Sequence, residues 1–148
     1  MRLTIATLAL TACLVANPVP AMAQDEEAVW DNIENIHGNA DGFFEVFGLL
    51  QDALMFGDPV TFGQYGLFPM AISANGEVYD VLEPEDLVDN FDMLVSADTQ
   101  QAILEQDVAD LIVTSEGVGI GNGAMWITNI CLDDACAETQ WGIFSINN

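Results

Sequence analysis

After Arg2 the chain contains no Lys and no Arg, while all 24 of its Asp and Glu residues lie between Asp25 and Glu138. With His37 neutral, nothing beyond residue 2 can form a side-chain ion pair. Whatever fold forms must close on apolar contacts, hydrogen bonds and cysteine chemistry. The formal charge is −23, and becomes −24 if Arg2 is removed. Soluble surfaces ordinarily mix both signs. Two explanations fit so one-sided a surface. The first is adaptation to brine, where a Debye length of about 3 Å at 1 M salt screens self-repulsion. The second is a polyanion that binds a basic partner. The acids are spread along the whole chain rather than massed in one block, which favours the first. A mean hydropathy of +0.32 argues against a disordered acidic tail.

The start of the chain reads as an export signal. Arg2 supplies the basic end, Leu3 to Ala16 an apolar run, and Asn17, Pro18 and Pro20 the break before Ala21-Met22-Ala23. Residues 1–23 are therefore expected to be a signal peptide cut between Ala23 and Gln24. Leu10-Thr11-Ala12-Cys13 offers an alternative, a lipoprotein anchored through Cys13. The protein is expected in the periplasm or secreted, without a transmembrane segment, since the apolar run is too short to span a bilayer. Cys131 and Cys136 are expected to form a disulfide, because C-x4-C lacks the further ligands of a zinc site.

Residues 24–40 are expected to be a partly disordered lead-in, and residues 41–148 a single α+β domain with helices packed on a curved, mostly antiparallel sheet. Phe43, Val46, Phe47, Leu50, Ala53 and Leu54 recur at helical spacing and predict a helix from Asp41 to Phe56. Asp58-Pro59 opens a short helix reaching about Leu67. Asn75-Gly76 predicts a tight hairpin pairing Met70 with Val81 and Ile72 with Tyr79. Pro84 opens a helix carrying Leu87, Val88, Phe91, Leu94 and Val95, and Asp98 is expected to cap another from Thr99 to about Asp107. Strands are expected at Leu111–Ser115, Val118–Gly121 and Ala124–Cys131. The middle pair folds about Asn122-Gly123, so that Trp126 covers Gly119. A hairpin closed by Cys131–Cys136 then sets Trp126 opposite Trp141 and Thr128 opposite Thr139.

Three features resemble a known family. The long helix ends in Gly57-Asp58, and a short helix and Phe68-Pro69 follow it. Phe91-Asp92-Met93-Leu94 precedes Gln101-Ala102-Ile103-Leu104. The third is the run from Gly117-Val118-Gly119-Ile120-Gly121-Asn122 to Gly123-Ala124-Met125-Trp126-Ile127. Residues 41–148 are in this respect similar to small exported bacterial proteins of the nuclear transport factor 2-like (SnoaL-like) superfamily. The resemblance implies a mixed sheet wrapped around helices as a cone, a pocket inside, and dimerisation through the outer sheet face. That superfamily holds both enzymes and binding modules, so the fold does not supply the function.

The missing bases remove whole classes of chemistry. No lysine Schiff base, arginine clamp or basic groove can exist, and nucleic acid is excluded as a partner. No cofactor and no metal site is implied, since the acidic loops lack calcium-binding spacing. His37 is the single histidine and the weak catalytic candidate, set in a loop. Tyr65, Phe68 and Trp126 are the candidates for lining a pocket, with core packing as the competing role. Trp126 and Trp141 are also candidates for marking a dimer face. The favoured function is a non-catalytic module that binds a neutral or cationic small ligand or a protein partner, as a homodimer through the sheet face. The alternatives are an isomerase or dehydratase using a buried carboxylate or His37, and an acidic inhibitor of a basic extracellular protein.

Overall fold

The computed structural model describes residues 25–148. The expected signal peptide, its expected cut between Ala23 and Gln24, and Cys13 all lie outside the described residues. Among those described, no helix is long and apolar enough to cross a membrane.

The first element of the described residues is a helix that sequence periodicity does not reveal. Helix α1 spans Glu26–His37, is capped by the Asp25 carboxylate accepting from the Ala28 N–H at 2.7 Å, and buries only Val29 and Ile33. Two apolar residues four apart are a thin stripe among four acids. The lead-in is thus a formed helix from Glu26 onward, and His37 ends it rather than sitting in a loop. Helix α2 spans Ala40–Met55 and buries Phe43, Phe47, Leu50, Ala53 and Leu54, close to the expected stripe. Helix α3, Pro59–Gln64, is shorter than expected, because a strand begins at Gly66.

Strands β1 (Gly66–Ala74) and β2 (Glu77–Val81) form the expected hairpin, pairing Met70 with Val81 and Ile72 with Tyr79. Asn75 and Gly76 both take positive φ, as such a turn requires. The helix expected after Pro84 is broken in two, α4 (Pro84–Asp89) and α5 (Phe91–Leu94). Asn90 makes the break: its side-chain N–H donates to the Asp86 carbonyl at 2.9 Å, while its own carbonyl accepts from Met93 and Leu94. Helix α6 spans Ala97–Leu104 and is capped by Ser96, which accepts from the Thr99 N–H, rather than by Asp98.

Four further strands complete the sheet: β3 (Ile112–Val113), β4 (Val118–Ile120), β5 (Met125–Cys131) and β6 (Thr139–Asn147). The six strands run in the order β2-β1-β6-β5-β4-β3. The β1–β6 pair is parallel and the other neighbours are antiparallel, so the sheet is mixed and open. The last strand is internal and ties the two hairpins together. Asn148 extends that tie, donating to the Ser73 and Leu94 carbonyls and accepting from the Ser96 N–H.

The β4–β5 register is as expected, with Gly119 opposite Trp126. The β5–β6 register is not. Cys131 pairs with Thr139, Asn129 with Trp141, Thr128 with Gly142, and Trp126 with Ser145. The disulfide, with an S–S distance of 1.99 Å, joins the last residue of β5 to Cys136 in the loop and does not bridge the two strands. The Asp133 carboxylate accepts from the Ala135, Ala137 and Glu138 N–H groups and folds residues 132–138 into that loop, which delays the return strand to Thr139. A bulge at Phe144 then shifts the pairing once more, so that both Ile143 and Ile146 reach the core. The helices pack on the sheet face carrying Met70, Ile72, Met125, Ile127, Trp141, Ile143 and Ile146.

Candidate functional site

The carboxylates fix where chemistry can occur. Every Asp and Glu side chain is exposed except Asp58, which is half-buried, and among the described residues Thr99 is the only buried polar one. The buried carboxylate that a proton-abstracting enzyme of this type needs is not found among the described residues. Two carboxyl groups are held below their ordinary range by hydrogen bonds. Asp58 caps α3, accepting from the Thr61 hydroxyl at 2.6 Å and the Thr61 N–H at 3.0 Å, the hydroxyl being the larger cause. Asp133 is lowered chiefly by the Ala137 and Glu138 N–H groups. Both are structural caps. Among the described residues no three His, Cys, Asp or Glu side chains cluster so as to hold a metal ion.

His37 is half-buried beside the disulfide. Its Nε2 lies 2.7 Å from the Thr114 carbonyl oxygen, which can only accept, so Nε2 carries the proton. The imidazole meets the Trp141 indole edge-on with centroids 5.5 Å apart. Asn129 donates from its side chain to the His37 and Gly38 carbonyls, which fixes its amide orientation. Its Oδ1 is buried without a partner. These residues, with Asn39, Cys131, Cys136, Ala137 and Thr139, line an open depression of about 540 Å³. No carboxylate lines it, so His37 has no acidic orienting partner there. Its hydrogen bond ties the end of α1 to the strand region at Thr114.

The three aromatic candidates are not brought together. Tyr65 ends α3 and packs against the core, with its carbonyl accepting from the Ile143 N–H at 2.7 Å. Phe68 packs against the core, its ring over Gly66. Trp126 lies on the opposite face of the sheet, with its indole 3.1 Å from where a Gly119 side chain would begin. Trp141, the other candidate for a dimer face, is only 2% exposed. It points to the core face and donates to the Asn39 carbonyl at 2.9 Å.

The outer sheet face is where the molecule departs most from the rest of its surface. A row of paired residues crosses all six strands: Ile112, Gly119, Trp126, Ser145, Ala71 and Asp80. Neighbouring positions on the same face carry Ser73, Val78, Thr128, Ile130, Gln140 and Gly142. Asp80, on the edge strand, is the one carboxylate in this register. Three buried glycines form the floor, and each is roofed by a large apolar side chain. Phe144 comes within 3.0 Å of a Cβ built on Gly117, Trp126 within 3.1 Å of one on Gly119, and Leu67 within 2.6 Å of one on Gly142. The roofing side chains are half-buried, so the face is apolar yet partly open to solvent. The Asn75-Gly76 and Asn122-Gly123 turns gave the registers that set the β1–β2 and β4–β5 parts of this face, but the β5–β6 slip and the bulge hid Phe144 and Gly142.

Comparison with protein-family models, with curated proteins and with solved structures returns no match to this chain.

Proposed function

We propose that the protein is an exported, non-catalytic binding module that acts as a homodimer, two copies meeting through their outer sheet faces. One observation carries this reading: a chain with 24 carboxylates keeps all but one of them off a sheet face six strands wide. Two bodies of charge −24 can approach only where charge is absent. A second copy supplies that surface by symmetry, as closed two-fold dimers do. The helices packed on one face of a mixed sheet fit the nuclear transport factor 2-like kinship suggested by the sequence, and a cone-like wrapping belongs to the same proposal.

The dimensions set its strength. Six strands spaced ~4.8 Å apart, about five residues long at ~3.3 Å per residue, make a plane of roughly 24 by 17 Å, on the order of 400 Å² per copy. Stable interfaces bury about 800 Å² per partner. The dimer is therefore weak, and salt decides it. At 0.01 M salt the Debye length is about 30 Å and the two copies repel across their full width. In molar salt that repulsion is screened while apolar contact persists.

The test is a charge placed on the face, on β5, one of its two central strands. Ile130→Asp is expected to elute as a monomer in 2 M NaCl, under conditions where wild type elutes as a dimer. Ile36→Asp, on α1 at a side chain 49% exposed, is expected to remain dimeric. If Ile130→Asp dimerises like wild type, the interface lies elsewhere.

A further inference from the structure

On the helix side of the molecule, remote from the sheet face, a second surface is apolar without structural need. Helix α2 ends on a backbone cap: Phe56 N–H donates to Asp52, Gly57 N–H to Leu54 and Asp58 N–H to Ala53, with Gly57 at φ +63°. That stop uses no side chain from Met55 or Phe56. Both are nonetheless large and apolar, and Phe56 is 78% exposed and Met55 64%. An exposed apolar cluster of this kind marks an interaction surface. Directly after it, Gly57 and Pro59 form one wall of a depression of about 440 Å³. Val88, Phe91 and Met93 supply its apolar lining, where the break at Asn90 separates α4 from α5. Asp89 and Asp92 line the same depression, and no Lys or Arg beyond residue 2 exists to neutralise them.

We infer that this cleft, together with the exposed Met55 and Phe56 that precede its Gly57 wall in the chain, binds a cationic amphipathic segment of a partner protein. The depression takes an apolar side chain, and Asp89 and Asp92 face the Lys or Arg residues on the flanks of the segment. Helix-in-groove recognition lays the apolar face of such a segment into an apolar slot, and the acidic rim complements its basic face. Methionine both in the exposed pair and in the slot suits a surface that adapts its shape to its ligand. An anionic segment would meet uncompensated carboxylates, so charge selects the basic partner. This inference does not depend on the dimer, because it uses the opposite side of the molecule.

The experiment measures the anisotropy of a dye-labelled amphipathic Leu/Lys peptide with the full protein, beside a scrambled peptide of the same composition, in 0.15 M and 1 M NaCl. The amphipathic peptide is expected to bind at least roughly tenfold more tightly than the scrambled one. Phe56→Ser with Met93→Ser is expected to weaken it by roughly tenfold, the loss expected from removing central apolar anchors. Leu132→Ser, at a side chain 55% exposed in the disulfide loop, is expected to change it less than twofold. Asp89→Asn with Asp92→Asn is expected to flatten the salt dependence. All these residues are at least partly exposed or loop-borne, and unfolding curves identify any variant that fails to fold. Equal binding of both peptides, or indifference to Phe56→Ser with Met93→Ser, would mean nonspecific charge attraction and overturns the inference. If those two substitutions abolish self-association in 2 M NaCl while Ile130→Asp does not, this surface is the dimer interface and both proposals fall.

Discussion

Gly117, just before β4, and Gly119, within it, sit two residues apart, yet a single methyl group should affect them very differently. A Cβ on Gly117 runs into the backbone carbonyl oxygen of Ile127, with the Phe144 ring at 3.0 Å behind it. That oxygen belongs to β5 and cannot move without shifting the strand. Overpacking of this kind costs about 1–3 kcal/mol, and the immovable neighbour places Gly117→Ala at ~3 kcal/mol. A Cβ on Gly119 meets two indole carbons of Trp126 at 3.1 Å and Ile112 Cβ at 3.3 Å. The indole lies toward solvent and can lift by a few tenths of an ångström. Alanine also recovers roughly 0.5–1 kcal/mol of backbone entropy relative to a strand glycine. Gly119→Ala is therefore expected within ~1 kcal/mol of wild type. Unfolding entropy of about 2.1 cal/mol/K per residue over roughly 120 residues converts these into a Tm loss of ~12 °C for Gly117→Ala and at most ~4 °C for Gly119→Ala. Thermal unfolding followed by circular dichroism in 2 M NaCl, at low protein concentration, reads both. Equal stability of the two variants would refute the β4–β5 pairing on which the outer face is built.

Two further outcomes follow from the charge distribution. With the acids exposed and no base beyond residue 2, stability in urea should rise steeply from 10 mM to 2 M NaCl; a protein equally stable at both would be held by something other than screening. Hydrogen bonds to Thr61 hold the Asp58 carboxyl, and backbone N–H groups the Asp133 carboxyl, below the ordinary carboxylate range. Their contribution is then fully present above pH ~3.8 and is lost as pH falls through the lower folded values. The stability gap between wild type and Asp58→Asn or Asp133→Asn should shrink as pH drops from 5 to 2; a constant gap would mean the caps do not depend on ionisation.

Turn chemistry made part of the sheet legible in the sequence. Asn75-Gly76 and Asn122-Gly123 each fix a register, because positive φ at Asn and Gly sets the strand pairing locally. The apolar stripe of α2 was equally plain. What escaped was set by non-local or side-chain hydrogen bonds. The Asp133 carboxylate, not the disulfide, determines where β6 begins. The Asn90 side chain breaks a helix that its apolar spacing would continue. Helix α1 owes its place to Val29 and Ile33 meeting the rest of the core, which two residues cannot announce. Parallel pairing of β1 with β6 joins segments more than seventy residues apart, beyond the reach of local patterning. Of the candidate site residues, the disulfide pair was fixed by inventory alone. Trp126 was placed by alternation, whereas Trp141 was displaced to the core by the changed register.

The sheet-face dimer is tested most directly by sedimentation equilibrium of the wild-type protein at matched concentrations in 10 mM and 2 M NaCl. The uncharged face predicts a monomer at low salt and a mass approaching twice that at high salt. A monomer at both salts, up to about 100 µM protein, would contradict it, since even a small apolar interface of this area should assemble to a measurable extent once charge is screened.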